Sequence, residues 1–437
     1  MVISEKIRAI AAEAERELGA IFADIDAISE KNTEKVLDAF REAEISESHF
    51  TGSTGYGYGD RGRDAIDAVA ARVFGAPAGF MRSSVLMGTH ALTVGLFALL
   101  RPGDVMLSVT GRPYDTLTEV IGIGGATGDG SLSDFGVKYE EIGMTAEGAV
   151  DVPAAVARIA RSTGEIRVVF IQRSKGYLSR PTLTVREIRR ICVAVKEAAR
   201  ERGIAVPYVV VDNCYGEFTE TDEPCSDPGT PGEEPVDLII GSLIKNPGGG
   251  MADTGGYLVG SPRAVELSGY RLCCPGVGLD AGASLGQNRN ILKGLFYAPH
   301  TVAQAMKTAH LAAYVFSSLG FRVSPGPFER RSDIIQTVEL GTPEGLVGFC
   351  RGIQSASPID SHVSPEPWDM PGYSDPVVMA AGAFVNGSSI ELSADGPMRE
   401  PYTAFLQGGL TYESGKLGIL RAAESVIGNG GAPYDAF

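Results

Sequence analysis

Lys245 and Asp212 are the residues of this chain best placed by their neighbours to do chemistry. Lys245 ends the apolar run Asp237-Leu238-Ile239-Ile240-Gly241-Ser242-Leu243-Ile244 and is followed by Asn246-Pro247-Gly248-Gly249-Gly250. A buried strand that runs into Ser-x-x-Lys and then a glycine-rich loop sets an amine at a strand end, beside the hydroxyl of Ser242. Upstream, the β-branched run Tyr208-Val209-Val210-Val211-Asp212-Asn213 ends on a carboxylate. An amine and a carboxylate at the ends of neighbouring strands suit pyridoxal 5'-phosphate. The lysine forms a Schiff base with the cofactor, and the aspartate keeps the pyridine nitrogen protonated so that the ring can act as an electron sink. Burial behind Leu238 to Ile244 also eases loss of the lysine's proton, which Schiff-base formation and general-base work both need. A solvated lysine and a helix-capping aspartate are the bland alternatives, and their matching strand-end positions argue against both.

Such a cofactor needs an anion site. Gly88 and Thr89 open a helical run to Leu100, and the free N–H groups of a helix start, with its dipole, bind phosphate. Ser242 could add a hydroxyl, whereas a plain N-cap at Thr89 is the competing account. For stacking on the cofactor ring, Tyr114 follows a strand that ends at Val109, and His90 is its competitor. The stretch Gly55-Tyr56-Gly57-Tyr58-Gly59-Asp60-Arg61-Gly62-Arg63 contains a formal GxGxxG, but no buried strand precedes it. It reads better as a loop presenting Tyr58, Arg61 and Arg63 to an anion. Two arginines compete for a substrate carboxylate: Arg173, after the strand ending at Gln172, and Arg399, in Ser393-Ala394-Asp395-Gly396-Pro397-Met398-Arg399. The guanidinium fork pairs bidentately with carboxylates, although a surface ion pair is the alternative for each. The five histidines (49, 90, 300, 310, 362) lack metal-ligand spacing, so no metal is expected, and no GxSxG elbow occurs.

The elements that must position these groups alternate. Strands are expected at Gly79 to Ser84, Val105 to Val109, Val137 to Ile142, Ile166 to Gln172, the runs ending at Asp212 and Ser242, and Gly256 to Val259. Helices are expected at Ala65 to Phe74, Thr89 to Leu100, Thr116 to Ile123, Pro153 to Arg161 and Val185 to Arg202. This pattern gives an α/β fold with a mostly parallel central sheet covered by helices on both faces, and ligands sit at the carboxyl ends of such strands. Residues 1–50 read as a helical segment passing into a loop, 51–300 as the large cofactor domain and 301–437 as a smaller α/β domain. That smaller domain would hold a helix at Val302 to Leu319, strands at Ile334 to Leu340 and Ser389 to Ser393, helices at Pro343 to Gln354 and Lys416 to Ile427, and a loop over 355–376. The net charge of −16 argues against nucleic-acid partners and anionic membrane surfaces. The six cysteines form no disulfide framework, the N-terminus carries no signal-peptide pattern, and no apolar run could span a bilayer; a cytoplasmic protein is expected.

The chain also resembles a known family. The residues that carry the resemblance are Thr54 to Arg63, Met87-Gly88-Thr89-His90-Ala91, Ile171 to Tyr177, Val211 to Phe218 and Ser242 to Gly250. They are similar to the methionine gamma-lyase-like group of fold type I pyridoxal-phosphate enzymes, often labelled aluminium resistance or cystathionine beta-lyase-like proteins. The resemblance covers about residues 30 to 430. It implies carbon–sulfur bond cleavage in an amino acid by β- or γ-elimination. Other pyridoxal-phosphate reactions (β- or γ-replacement, transamination, aldol cleavage) and a non-catalytic cofactor-binding module are the alternatives. It also implies a homotetramer built as a dimer of dimers, with active sites shared between subunits. Tyr58 and Arg61 or Arg63 would then reach a neighbour's phosphate. Two departures from the wider class stand out: Ile244 occupies the position before the lysine where a hydroxyl is usual, and Leu86-Met87-Gly88-Thr89-His90 lacks the serine of the group's Ser-Gly-Thr-His pattern.

Overall fold

Apolar strands alternating with capped helices carry through most of the chain. The computed structural model describes residues 2–124, 128–178, 180–370 and 375–428. In chain order the elements are α1 (Glu5–Glu17), α2 (Gly19–Glu42), α3 (Arg61–Val73), β1 (Ala78–Arg82), α4 (Gly88–Leu99), β2 (Val105–Ser108), α5 (Asp115–Ile121), β3 (Lys138–Glu141), α6 (Val152–Ala160), β4 (Ile166–Gln172), α7 (Val185–Arg202), β5 (Tyr208–Asp212), β6 (Leu238–Ser242), β7 (Gly256–Gly260), α8 (Pro262–Leu272), α9 (Asn288–Ser318), β8 (Arg322–Ser324), β9 (Gln336–Glu339), α10 (Pro343–Ala356), β10 (Val377–Ala380), β11 (Ser393–Pro397), β12 (Thr403–Gln407) and α11 (Tyr412–Gly428). They divide into two compact units. The larger comprises Glu34–Leu243 and Ala252–Lys293, and the other Met1–Thr33, Ile244–Met251 and Gly294–Phe437.

The larger unit is built on a seven-stranded sheet in the order β1-β7-β6-β5-β4-β2-β3. Its joints from β6 to β3 are parallel, and β7 runs antiparallel to both of its neighbours. The central strands β4, β5 and β6 are buried along nearly their whole length, which explains their continuous Val/Ile/Leu runs, whereas the edge strand β3 is largely exposed. α4 buries Ala91, Leu92, Val94, Leu96, Ala98 and Leu99, and a helix apolar on most sides belongs in a core. It lies close to β6: a side chain placed at Gly95 would start 2.5 Å from Ile240 Cδ1. α7 shows how local signals fix an element. Thr184 and Glu187 form a capping box at its start, and Gly203 ends it in the left-handed conformation.

The second unit holds a five-stranded antiparallel sheet in the order β10-β11-β12-β9-β8. Ile7, Ala11 and Ala14 of α1 share its core with Phe316, Phe349 and Ile419.

The structure departs from the sequence expectations in several places, and β8, β10 and β12 are strands that were not expected. α9 begins at Asn288, well before Val302, and carries Pro299 inside it. α8 was not anticipated. A strand at Ser389 to Ser393 is corrected to Ser393–Pro397, held between two partner strands despite its Asp, Gly and Pro. α3 begins at Arg61 because Asp60 caps it, accepting from the Arg63 N–H. Of the loop expected over 355–376, residues 371–374 lie outside the described residues, as does 429–437.

The α4–β6 contact gives a first test. Gly95→Val pushes branched carbons against Ile240, Leu258 and Leu238. It should cost about 1–3 kcal/mol of stability by overpacking, read as a lower urea midpoint at unchanged slope.

Candidate active site

Parallel pairing brings the chemical residues of the larger unit to one edge. β5 and β6 pair with Asp212 opposite Ile240, so Asp212 and Ser242 both close their strands at the carboxyl edge of the sheet. β4 adds Gln172, opposite Asp212. Asp212 is buried, and its Oδ1 accepts from the Cys214 N–H at 3.1 Å, which fixes the carboxylate against the turn that follows. In that turn Tyr215 and Phe218 hold positive φ values of 73° and 63°, conformations that non-glycine residues adopt only under constraint.

Gly88 opens α4 at the same edge. A Cβ added there would lie 3.5 Å from both Cys214 Sγ and Ser242 Cβ, so the helix start, Ser242 and the turn after Asp212 adjoin one another. Met87, the N-cap residue, makes no side-chain capping bond, so no side chain caps the first-turn N–H groups from that position. Thr89 Oγ1 shares a 2.9 Å hydrogen bond with Thr116 Oγ1 of α5, tying the two helix starts together. The His90 Nδ1 accepts from the Leu86 N–H at 3.1 Å, which turns its ring back over the preceding loop. Tyr114 immediately precedes α5. Its N–H donates to Gln172 Oε1 at 2.7 Å, and its ring meets Tyr177 edge-on with centroids 6.0 Å apart. Cys214 and Thr116 were not singled out by sequence reasoning, and Gln172 stood out only as the polar end of the apolar β4.

Lys245 follows Ser242 by three residues along the chain and is half-buried. It enters the short 3₁₀ turn Asn246–Gly248, which Gly249 closes at φ 54°. A side chain at Gly249 would strike Gly294 O of α9 at 2.3 Å, so the glycine run after Lys245 is required by close packing.

Two arginines take up other work. Arg173 is fully buried and donates to Leu183 O, Asn213 Oδ1 and Glu220 Oε1, with Glu223 Oε2 at 3.6 Å. The residue expected to bind a substrate carboxylate has its fork engaged by internal acceptors in this structure. Arg63 is likewise buried and donates to Gly57 O, Gly282 O and Asp280 O, pinning the glycine-rich loop. Of the two arginines expected to face an anion, Arg61 is the exposed one. Tyr58 is exposed and stacks on Tyr56 at 5.6 Å. Arg399 is half-exposed and pairs with Asp375 at 2.9 Å.

Asp60 anchors this loop. Burial alone would raise its pKa, but hydrogen bonds from the Ser284 and Ser53 hydroxyls, the Arg63 N–H and the Asn288 amide outweigh it and hold the carboxyl at about 2.

The methionine gamma-lyase family model matches residues 7–427. The chain belongs to the methionine gamma-lyase family. Among its relatives, the Bacillus subtilis (strain 168) protein YnbB is 46% identical over 423 residues, which span 97% of each chain. The crystal structure of a carbon-sulfur lyase involved in aluminum resistance from Clostridium novyi NT is 46% identical, has a TM-score of 0.90, and matches 97% of this chain and 96% of that one. The pyridoxal-5'-phosphate dependent protein YhfS from Escherichia coli is 15% identical with a TM-score of 0.59, over 92% of this chain and 97% of that one. That last likeness is one of fold alone: the methionine gamma-lyase family member described here has the fold type I architecture.

Two tests follow from these assignments. Arg173→Ala strands Glu220 and Glu223 without their cation and should cost about 3–5 kcal/mol of stability, seen in denaturant melts. Asp60 has a folded pKa below its ordinary value of 3.8. Its contribution is therefore present above pH 3.8 and lost as pH falls towards about 2. Acid titration of stability should fall less over that window in Asp60→Asn than in the native chain.

Proposed function

We propose that this chain is a pyridoxal-phosphate-dependent lyase that cleaves a carbon–sulfur bond in an amino acid. The observation that carries this reading is the donor set: a strand-end carboxylate, a helix start without a side-chain cap beside a strand-end hydroxyl, and a lysine three residues further along. It fits the group. The first-turn N–H groups of α4, with Thr89 and the Ser242 hydroxyl, suit a phosphate dianion. The Asp212 carboxylate suits a protonated pyridine nitrogen, Tyr114 or His90 would stack on the ring, and Lys245 would hold the group covalently. When bound, pyridoxal phosphate supplies an electron sink that lowers the cost of negative charge at the substrate's Cα.

The chain's own residues do the remaining work. Lys245 Nζ, as a free amine, would accept the substrate's Cα proton and could return it. Gln172 sets the backbone at Tyr114. Arg399 is the candidate for the substrate carboxylate, which requires exchange of its Asp375 partner. Loss of a thiol from Cβ or Cγ, followed by addition of water, leaves a 2-oxo acid and ammonia.

We also assign the chain to the cytoplasm, as its six cysteines are free. A homotetramer of paired dimers is the assembly we favour. The exposed Tyr58 and Arg61 of the pinned glycine-rich loop would then serve a neighbouring subunit's phosphate.

The deciding experiment is borohydride reduction of the purified yellow protein followed by peptide mapping. The pyridoxyl group is expected on Lys245, and Lys245→Ala should lose the label and about 10²–10⁴-fold or more of its turnover. Turnover is read as equal yields of thiol, 2-oxo acid and ammonia. A colourless protein that stays unlabelled after added cofactor overturns the reading.

A further inference from the structure

Four of the six cysteines are buried, and the two exposed ones are adjacent: Cys273 and Cys274, at the end of α8. Their sulfurs stand 3.9 Å apart. The Cys273 N–H bonds back to Gly269 O, while the N–H groups of Val277 and Gly278 both donate to Cys274 O, so the backbone is held on each side of the pair.

This spacing separates two kinds of thiol chemistry. A disulfide needs sulfurs about 2.05 Å apart and Cα atoms about 4.4–6.8 Å apart. Adjacent residues across a trans peptide offer only about 3.8 Å between Cα atoms. Oxidation to a bridge would therefore have to distort the backbone. Two exposed thiols 3.9 Å apart can instead share one soft centre without joining to each other, closing the small remaining gap by rotation about their side-chain bonds. Soft ions prefer such thiolates. No group of three or more potential metal-ligating side chains occurs among the described residues, so the four-ligand shell of structural zinc is not built here. The occupant that fits is one satisfied by two protein sulfurs. The pair also closes an eleven-residue helix, whose carboxyl end favours positive charge.

We infer that Cys273 and Cys274 form a two-sulfur binding site for trivalent arsenicals and similar soft, thiophilic centres. The site is independent of the lyase reading. With phenylarsine oxide the step balances without an oxidant. Two arsenic–sulfur bonds form, the arsenic–oxygen bond breaks, and the two thiol protons leave with the oxygen as one water.

The test uses the full-length holoprotein and phenylarsine oxide, read by intact mass. One adduct per chain is expected, stripped by 2,3-dimercaptopropanol and resistant to a monothiol. Cys273→Ser and Cys274→Ser should each weaken binding by about 10²–10⁴-fold, because the second sulfur no longer acts at high effective concentration. Should either variant fold poorly, alkylating the exposed thiols of the native protein with N-ethylmaleimide must abolish the adduct instead. Absence of an adduct, or an adduct that survives these changes, overturns the proposal.

Discussion

The parallel pairing of β5 with β6 sets Asp212 opposite Ile240, and the candidate site is organised by that register. A parallel ladder points consecutive strands the same way, so their last residues gather at one edge where the chain must turn. There Asp212 and Ser242 meet the start of α4, and the lysine follows after three more residues. Slipping the register by one residue would move every side chain of a strand to the other face of the sheet, separating carboxylate from hydroxyl. The heavily apolar β5 and β6 resist such a slip because both faces are buried.

Loops of the larger unit are held by buried charges with internal partners. Arg173 gathers Glu220, Glu223 and Asn213 behind the turn that follows Asp212, and Arg63 gathers the carbonyls of the glycine-rich loop. Asp60 draws four donors onto one carboxylate at the start of α3. Each of these groups would be costly to bury alone and is stabilised by satisfying several backbone or side-chain atoms at once. These arginines thus differ from Arg61, which is left exposed.

Much of the fold was legible in the sequence where a local signal sufficed. α7 was read at its true ends because Thr184, Glu187 and Gly203 speak for themselves, and the apolar runs ending at Asp212 and Ser242 announced buried strands. Legibility failed where distant partners decide. β11 contains Asp395, Gly396 and Pro397, residues that disfavour strands, and is extended because β10 and β12 pair with it. α9 continues past Pro299, which local rules would treat as a stop. Among the candidate residues, Asp212 stands out as the end of one apolar strand and Lys245 as the amine three residues past another. The confinement of Arg173 was not legible, since nothing near position 173 reveals that Glu220 and Glu223 fold back to receive it.

Gly95 touches none of the residues assigned to ligand, yet it sets how closely α4 lies on β6. α4 begins at Gly88 and β6 ends at Ser242, the helix start and hydroxyl proposed to meet a phosphate. A side chain at Gly95 would therefore pry apart the two halves of the proposed phosphate cradle from two turns away. Were that cradle to hold the cofactor as proposed, a bacterial selection for mutants rescued by extra vitamin B6 would recover substitutions here alongside changes at Gly88 and Ser242. Heredity would mark this glycine as a vitamin-binding position, while its chemistry is only that of a missing methyl group.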